Sequence, residues 1–331
     1  TQTIVPIITS IRLPISLSLP LTDLEVRNGY AYISTDSTTS SDPDIFIIDI
    51  RNSDNAELLS SINTGPGISA IALVDNRIYA AAASTAAQLH IIRLDSLRSL
   101  ILEKKFQLAL PFATATPSFA SAITYNKKNV FIGTTKWDGP ELSIIDVQNP
   151  TSPIQKGSLE LGTKINDLLI HENTLYTAKS NEQQFGVANI TEYSTPYITD
   201  SFSSSGWERQ EGKSVTYFED TVDLGRTSGG FNIIADHELF SWYISTSTFD
   251  FKYPQSIDVS GGIYGIVRDR KHIFIATRQS GKEFQIFETN MSSTTRKTYS
   301  LPIPPQTLTC DGTSLYVLGN SSAVIYKIDF Q

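Results

Sequence analysis

Six short segments spread along the whole chain repeat one pattern: a polar turn, an apolar–aromatic step, then small or apolar residues. They are "VRNGYAYIS" (26–34), "VDNRIYAAA" (74–82), "YNKKNVFIG" (125–133), "HENTLYTAK" (171–179), "RDRKHIFIA" (268–276) and "CDGTSLYVL" (310–318). Their aromatics are Tyr32, Tyr79, Phe131, Tyr176, Phe274 and Tyr316, spaced by 47, 52, 45, 98 and 42 residues. The long interval is twice 49, so a copy is hidden near 223. "TYFEDTVDLG" (216–225) fits there, with Asp223 in place of the aromatic. Seven units of this period match the four-stranded blades of a β-propeller.

Each unit parses into four strands. First strands are short apolar runs starting near 23, 69, 121, 166, 214, 264 and 307, as expected of strands buried between neighbouring blades. The aromatic strand follows. Third strands are expected at 44–50, 88–94, 141–147, 184–190, 230–236, 283–289 and 323–329, several alternating with period two. Fourth, more polar strands follow at 57–63, 103–111, 154–162 and 295–304, where charge and Pro protect an outer edge. The seventh unit ends without a fourth strand, while "RLPISLSLP" (12–20) precedes the first unit and is similar to "FQLALP" (106–111) and "YSLPIP" (299–304). The expectation is an all-β fold, one seven-bladed propeller domain over 1–331. Its ring is closed by 12–20 completing the last blade.

The stretch "LSIIDVQNPTSPIQKGSLELGTKINDLLIHENTLYTA" (142–178) resembles the LVIVD-repeat family of β-propellers. The likeness rests on Asp146, Asn149, Pro150, Pro153, Gly157, Ser158, Asn173, Tyr176 and Ala178; it is partial at 44–80 and loose elsewhere. In the strand-ending "DVQNPTSP", each Pro fixes φ and removes a donor, so the ladder stops there. The resemblance implies structural roles for these residues, a location among exported or cell-surface bacterial or archaeal proteins, and no catalytic signature.

Composition narrows the partners. Net charge is −8, and no block of Lys and Arg occurs, which argues against nucleic acid. No run of 18 apolar residues supplies a membrane span. Cys310 is the only cysteine, so no intrachain disulfide can form. The start at "TQTIVPIITS", with no initiator Met, reads as a chain from which a leader or anchor was removed, or as an excised domain. His90, His171, His237 and His272 form no metal-ligand motif, and neither a metal nor a cofactor is assigned. Asp36, Asp42 and Asp44 share one loop; calcium is one reading and a solvated loop the better one.

The least repetitive part, 200–230, holds an enlarged connection with Trp207, Glu208, Arg209 and Glu211. Trp137 and Asp138 lie in the second-to-third strand loop of blade 3, and Arg226 in that of blade 5 beside Asp223. Both kinds of connection share the upper face. Trp137, Asp138, Trp207, Glu208, Arg209, Asp223 and Arg226 are therefore the ligand-binding candidates, exposed Trp and Arg being favoured at hot spots. The alternatives are tryptophans folded back to plug their loops, and an Asp223 either buried against Arg226 or solvated. The expected function is a monomeric, non-enzymatic, exported or surface propeller binding a protein or glycan. A carbohydrate hydrolase or lyase using Asp138, Glu208 and Asp223 is the second reading.

Overall fold

The computed structural model describes residues 4–15, 20–36, 42–112, 115–116, 118–180, 183–203, 210–227, 237–244, 254–291 and 295–331. Seven four-stranded antiparallel sheets form a ring. Strand β1 (Pro6–Arg12) comes first in the chain. Blade 1 is β2 (Leu21–Arg27), β3 (Tyr30–Thr35), β4 (Ile45–Asp49) and β5 (Glu57–Ile62). Blade 2 is β6 (Ile68–Val74), β7 (Arg77–Ala82), β8 (Leu89–Ser96) and β9 (Ser99–Phe106). Blade 3 is β10 (Ala120–Asn126), β11 (Asn129–Thr134), β12 (Leu142–Asp146) and β13 (Ile154–Leu159). Blade 4 is β14 (Ile165–His171), β15 (Thr174–Lys179), β16 (Phe185–Asn189) and β17 (Tyr197–Phe202). Blade 5 is β18 (Gly212–Phe218), β19 (Thr221–Arg226), β20 (Leu239–Tyr243) and β21 (Gln255–Ile257). Blade 6 is β22 (Ile263–Arg268), β23 (His272–Thr277), β24 (Phe284–Glu288) and β25 (Lys297–Tyr299). Blade 7 is β26 (Pro305–Cys310), β27 (Leu315–Gly319) and β28 (Val324–Phe330), with β1 as its outer strand.

Local chemistry explains the repeat. In blades 1 to 5 the first two strands are joined by two-residue turns whose leading residue, Asn28, Asp75, Lys127, Glu172 or Glu219, has positive φ. Such a turn matches the twist of the flanking strands. The third strands of blades 1, 3 and 6 are buried on both faces, so they read as largely apolar runs rather than alternating ones. The outer strands are the polar ones, as in Glu57–Ile62 and Ile154–Leu159.

A buried acceptor fastens most blades. Asp44, Gln88, Glu141, Glu238 and Glu283 each stand just before a third strand and accept a backbone N–H from just beyond the outer strand. The donors are Thr64 (3.0 Å), Leu108 (3.0 Å), Leu161 (2.8 Å), Val259 (3.0 Å) and Leu301 (3.1 Å). Burying a carboxylate is tolerable only with such donors. In blade 7 the same junction is made by main chain alone, Leu13 N–H donating to the Ala323 carbonyl at 2.8 Å.

That bond corrects the closing strand. The ring is closed by the N-terminal segment, but the strand is Pro6–Arg12, paired residue by residue with Phe330–Val324, and not 12–20. Leu13 is the counterpart of Leu108 and Leu301, each buried just past an outer strand. The likeness of 12–20 to 106–111 and 299–304 therefore marks this junction and not the strand before it. Pro14 follows at once and lacks the N–H a ladder needs. Pro6 sits at a strand start on an outer edge, where it is tolerated.

Blade 5 requires a second correction. Its third strand is Leu239–Tyr243, whereas the expected 230–236 lies outside the described residues. The acceptor Glu238 decides the register: "ELFSW" matches "ELSII" of blade 3 and "EFQIF" of blade 6, an acid followed by the strand.

At five of the blade junctions the second-strand aromatic shares a ring stack or a cluster with a first-strand residue of the next blade. Tyr79 stacks on Tyr125 at 5.7 Å and Tyr176 on Tyr217 at 6.3 Å, while Tyr32 shares a cluster with Leu73 and Phe131 shares one with Ile170. Tyr316 and Val26 join the same cluster across the closure between blades 7 and 1. Where blade 5 meets blade 6 this pair is Asp223 and Arg268.

Gly157, one of the residues carrying the family resemblance, has a packing reason. A Cβ built there would lie 1.8 Å from the Tyr193 carbonyl oxygen, a backbone atom of blade 4 that cannot rotate away. Gly157→Ala is expected to lower stability by about 1–3 kcal/mol, the range for overpacking. Chemical denaturation of the variant checks this, and an unchanged midpoint would remove the argument.

Candidate functional site

The seven first strands line an axial channel of about 960 Å³. Each of them carries a β-bulge near its upper end, shown by register shifts at 21/23, 68/70, 120/122, 165/167, 212/214, 263/265 and 305/307. A bulge leaves one residue out of the ladder and re-aims its side chain. The seven skipped residues are Thr22, Ser69, Ser121, Asn166, Lys213, Tyr264 and Gln306, and all seven line the channel. Every one carries a hydrogen-bonding group, so the mouth has a polar collar.

Four collar residues bind forward to the next blade. The Thr22 hydroxyl donates to the Ile68 carbonyl at 2.5 Å and the Ser121 hydroxyl to that of Ile165 at 2.6 Å. The Asn166 amide donates to the Gly212 carbonyl at 2.7 Å, and the Gln306 amide to that of Thr22 at 3.4 Å across the closure. Ser69, Lys213 and Tyr264 are not used this way. Lys213 pairs with Glu211 at 3.2 Å. Arg278 covers the Tyr264 ring at 3.7 Å while donating to the Pro305 carbonyl and the Gln306 side chain. Phe119 lines the same mouth and is 47% exposed, on a connection that also exposes Leu110 and Phe112.

Below the collar sit three acids. The two oxygens of Asp23 take N–H groups from Leu24 (2.8 Å) and, in the next blade, Ile71 (2.9 Å); Asp167 repeats this with Leu168 and Val215. Burial outweighs these donors and pushes Asp23 up to about 6 and Asp167 up to about 7. Burial, with the Asp23 charge, pushes Glu25 up to about 7. All three hold their protons to higher pH in the folded state than in the unfolded chain. The stability they contribute is complete below the ordinary carboxylate range and is lost as pH rises through 6 and 7. His90 works in the opposite sense. It is buried without a partner for either ring nitrogen, and burial, with the Lys105 charge, lowers it to about 4. Its share is lost as pH falls from about 6.5 to 4. The melting temperature is expected to climb from pH 8 to a maximum near pH 5–6. Asp167→Asn should flatten the neutral limb, and a wild-type profile rising from pH 6 to 8 would contradict the assignment.

The residues expected to form the site are not gathered there. Trp137 is half-exposed and folds back over its own loop, its indole N–H donating to the Pro140 carbonyl at 3.1 Å and its ring covering Gly139. Asp138 is exposed beside it. Asp223 is fully buried between blades, held by Arg268 (2.7 Å) and the Ser241 hydroxyl (2.5 Å) rather than by Arg226. Arg226 ends β19, is also fully buried, donates to the His237 carbonyl and lies 4.6 Å over the Phe240 ring. Neither reaches the upper surface, so Asp138 and Asp223 do not converge as an acid–base pair. Trp207, Glu208 and Arg209 lie outside the described residues. Asp44 is turned inward onto Thr64 and is not a loop ligand. No group of three or more His, Cys, Asp or Glu that could hold a metal occurs among the described residues. Among the described residues no helix is long and apolar enough to cross a membrane.

The collar has a sequence signal that the repeat analysis passed over. "LTDL", "ISAI", "ASAI", "INDL", "GKSV", "IYGI" and "PQTL" each place a polar residue second in the first strand.

No protein-family model matches this chain, and no curated protein matches it in sequence. Its fold is similar to virginiamycin B lyase from Staphylococcus aureus, with a TM-score of 0.68 and 12% identity over 98% of this chain and 99% of that one. It is also similar to a chain of the mitotic checkpoint complex (TM-score 0.69, 11% identity, 97% and 90% covered). A third likeness is to the extracellular domain of a one component system of B. thetaiotaomicron (0.62, 11%, 96% of this chain and 39% of that one). At such identities the likeness bears on the fold alone.

Proposed function

We propose that this propeller is a non-enzymatic binding protein, exported or held at the cell surface, whose ligand sits at the upper mouth of the channel. The observation that carries this reading is the collar of seven bulge residues with Phe119 exposed beside it. Ligand sites are generally concave and set a few placed polar groups beside apolar or aromatic surface, and the mouth supplies both. Of the two partner classes, the hydroxyls and amides of the collar and the phenyl ring favour a glycan over a protein. The resemblance of 142–178 to the LVIVD repeats and the likeness to an extracellular domain support the location.

The reading is tested on a glycan array, followed by titration of the hits against Phe119→Ala and Ser69→Leu variants. Both are expected to weaken binding at least 10-fold without changing the melt. Hits that bind both variants as well as the wild type would move the ligand elsewhere. Hits consumed on standing with the protein would replace binding by hydrolysis or elimination.

A further inference from the structure

The channel mouth has two unlike halves. On blades 1 to 3 the collar offers three hydroxyls, with Phe119 alongside. On blades 4 to 6 it is cationic. Lys164 precedes the first strand of blade 4, Lys213 is the collar residue of blade 5, and Arg278 lies over the collar residue of blade 6; all three line the channel.

Among the described residues this arc has three cations and one ion pair, that of Lys213 with Glu211. Lys164 and Lys213 are close enough that the Lys213 charge, after burial, lowers the pKa of Lys164, with Glu211 the carboxylate acting against it. That same carboxylate is 3.2 Å from the Lys213 ammonium. Among the described residues, Glu211 is thus the one carboxylate that acts on both ammonium groups in this half-buried place, an arrangement that a second anion relieves. Arg278 is held by the Pro305 carbonyl and the Gln306 side chain, with one guanidinium face covered by Tyr264. A guanidinium fixed in this way is suited to meet a carboxylate in its plane. The acids nearby do not fill the role. Asp36 lies on the blade 1 side, and both oxygens of Asp167 are taken by backbone N–H groups.

Resting on the reading of the mouth as a glycan site, we infer that its ligand is a carboxylated saccharide, a chain or terminus bearing a uronic acid. The carboxylate sits on the arc of Lys164, Lys213 and Arg278, and the sugar's hydroxyls and apolar face meet the collar and Phe119. A saccharide, rather than an acidic peptide, accounts for the hydroxyl half of the ring, because Thr22 and Ser121 already donate their protons to main-chain carbonyls and are left to accept from sugar hydroxyls.

The test is calorimetric titration with three probes: a hexuronate trisaccharide, its methyl ester and a hexaglutamate peptide. The uronate is expected to bind at least 10-fold more tightly than the ester, and its affinity to fall steeply between 50 and 500 mM NaCl. Lys164→Ala/Lys213→Ala, checked for an unchanged melt, should remove that preference, so that the acid binds no more tightly than the ester. Arg278→Lys, which keeps the charge but loses the planar fork, should weaken the uronate alone. Equal binding of ester and acid would overturn the carboxylate assignment and leave the glycan site standing. Tighter binding of hexaglutamate would overturn it in favour of an acidic peptide. No binding by either saccharide would remove both this inference and the site it rests on.

Discussion

An Arg268→Leu variant is expected to unfold with a free energy about 3–5 kcal/mol below that of the wild type, the cost of leaving one partner of a buried ion pair alone. Asp223 is fully buried and Arg268 is 8% exposed, so water cannot take the place of the guanidinium. Ser241 would remain as a donor, which is too little for a carboxylate. The carboxylate is already held above its ordinary range, because burial outweighs Arg268 and Ser241 together. The variant should therefore take up a proton at Asp223 and regain part of its loss in acid. The double variant Asp223→Tyr/Arg268→Leu makes the test sharper. It rebuilds the Tyr32–Leu73 pair of blades 1 and 2 and should be more stable than either single change, in line with the replacement of buried ion pairs by apolar residues. Urea unfolding of the four proteins closes the cycle. A single variant within about 1 kcal/mol of wild type would show that the pair is not a structural unit.

Removing residues 1–13 should destabilise the protein more than any single substitution. The deletion takes away an outer strand paired over seven positions, Pro6 to Arg12. It strips Ile11 and Leu13 from the cluster that joins blades 7 and 1, and Ile8 from the one between blades 6 and 7. Truncating one buried aliphatic residue costs about 2–5 kcal/mol, and here Ile11 and Leu13 are both buried. The exposed β28 would become an open edge prone to pairing between molecules. The expected result is a lower urea midpoint and concentration-dependent association, both reversed by a synthetic peptide of residues 4–15. An equal midpoint, or no response to the peptide, would mean that β1 does not close the ring.

Legibility along the sequence followed the range of the interactions involved. The second strands were plain because turn, aromatic and small residues are neighbours in the chain, and every blade but the fifth, where Asp223 replaces the aromatic, follows the pattern. First strands were located within a residue or two for the same reason. The closing strand was displaced because Leu13, Leu108 and Leu301 look alike for what they do at a junction, and a junction leucine is as apolar as a strand leucine. The third strand of blade 5 was misplaced because "FNII" is as apolar as "LFSW"; only the N–H of Val259 reaching Glu238 separates them. The Asp223 anomaly was visible, but its partner was sought three residues away on the same strand. The partner lies 45 residues on, in the next blade, on the first strand that packs beside that position.

The collar was the largest omission. Its pattern is short, and a polar residue among apolar ones in a first strand reads locally as a weak strand. Seven such residues mean something when a bulge lifts each from its ladder and the ring brings them to one level.

Taken alone, the order of residues determined the number of blades, the antiparallel order within each and the use of the N-terminal segment to complete the last. These follow from turn chemistry and side-chain periodicity, which act between residues close in the chain. Which side chains face the axis, which acid meets which arginine, and where two lysines are made to share one carboxylate were decided only when the ring closed. Those relations hold between residues of different blades, and the free energy of burying a charge depends on what surrounds it in space.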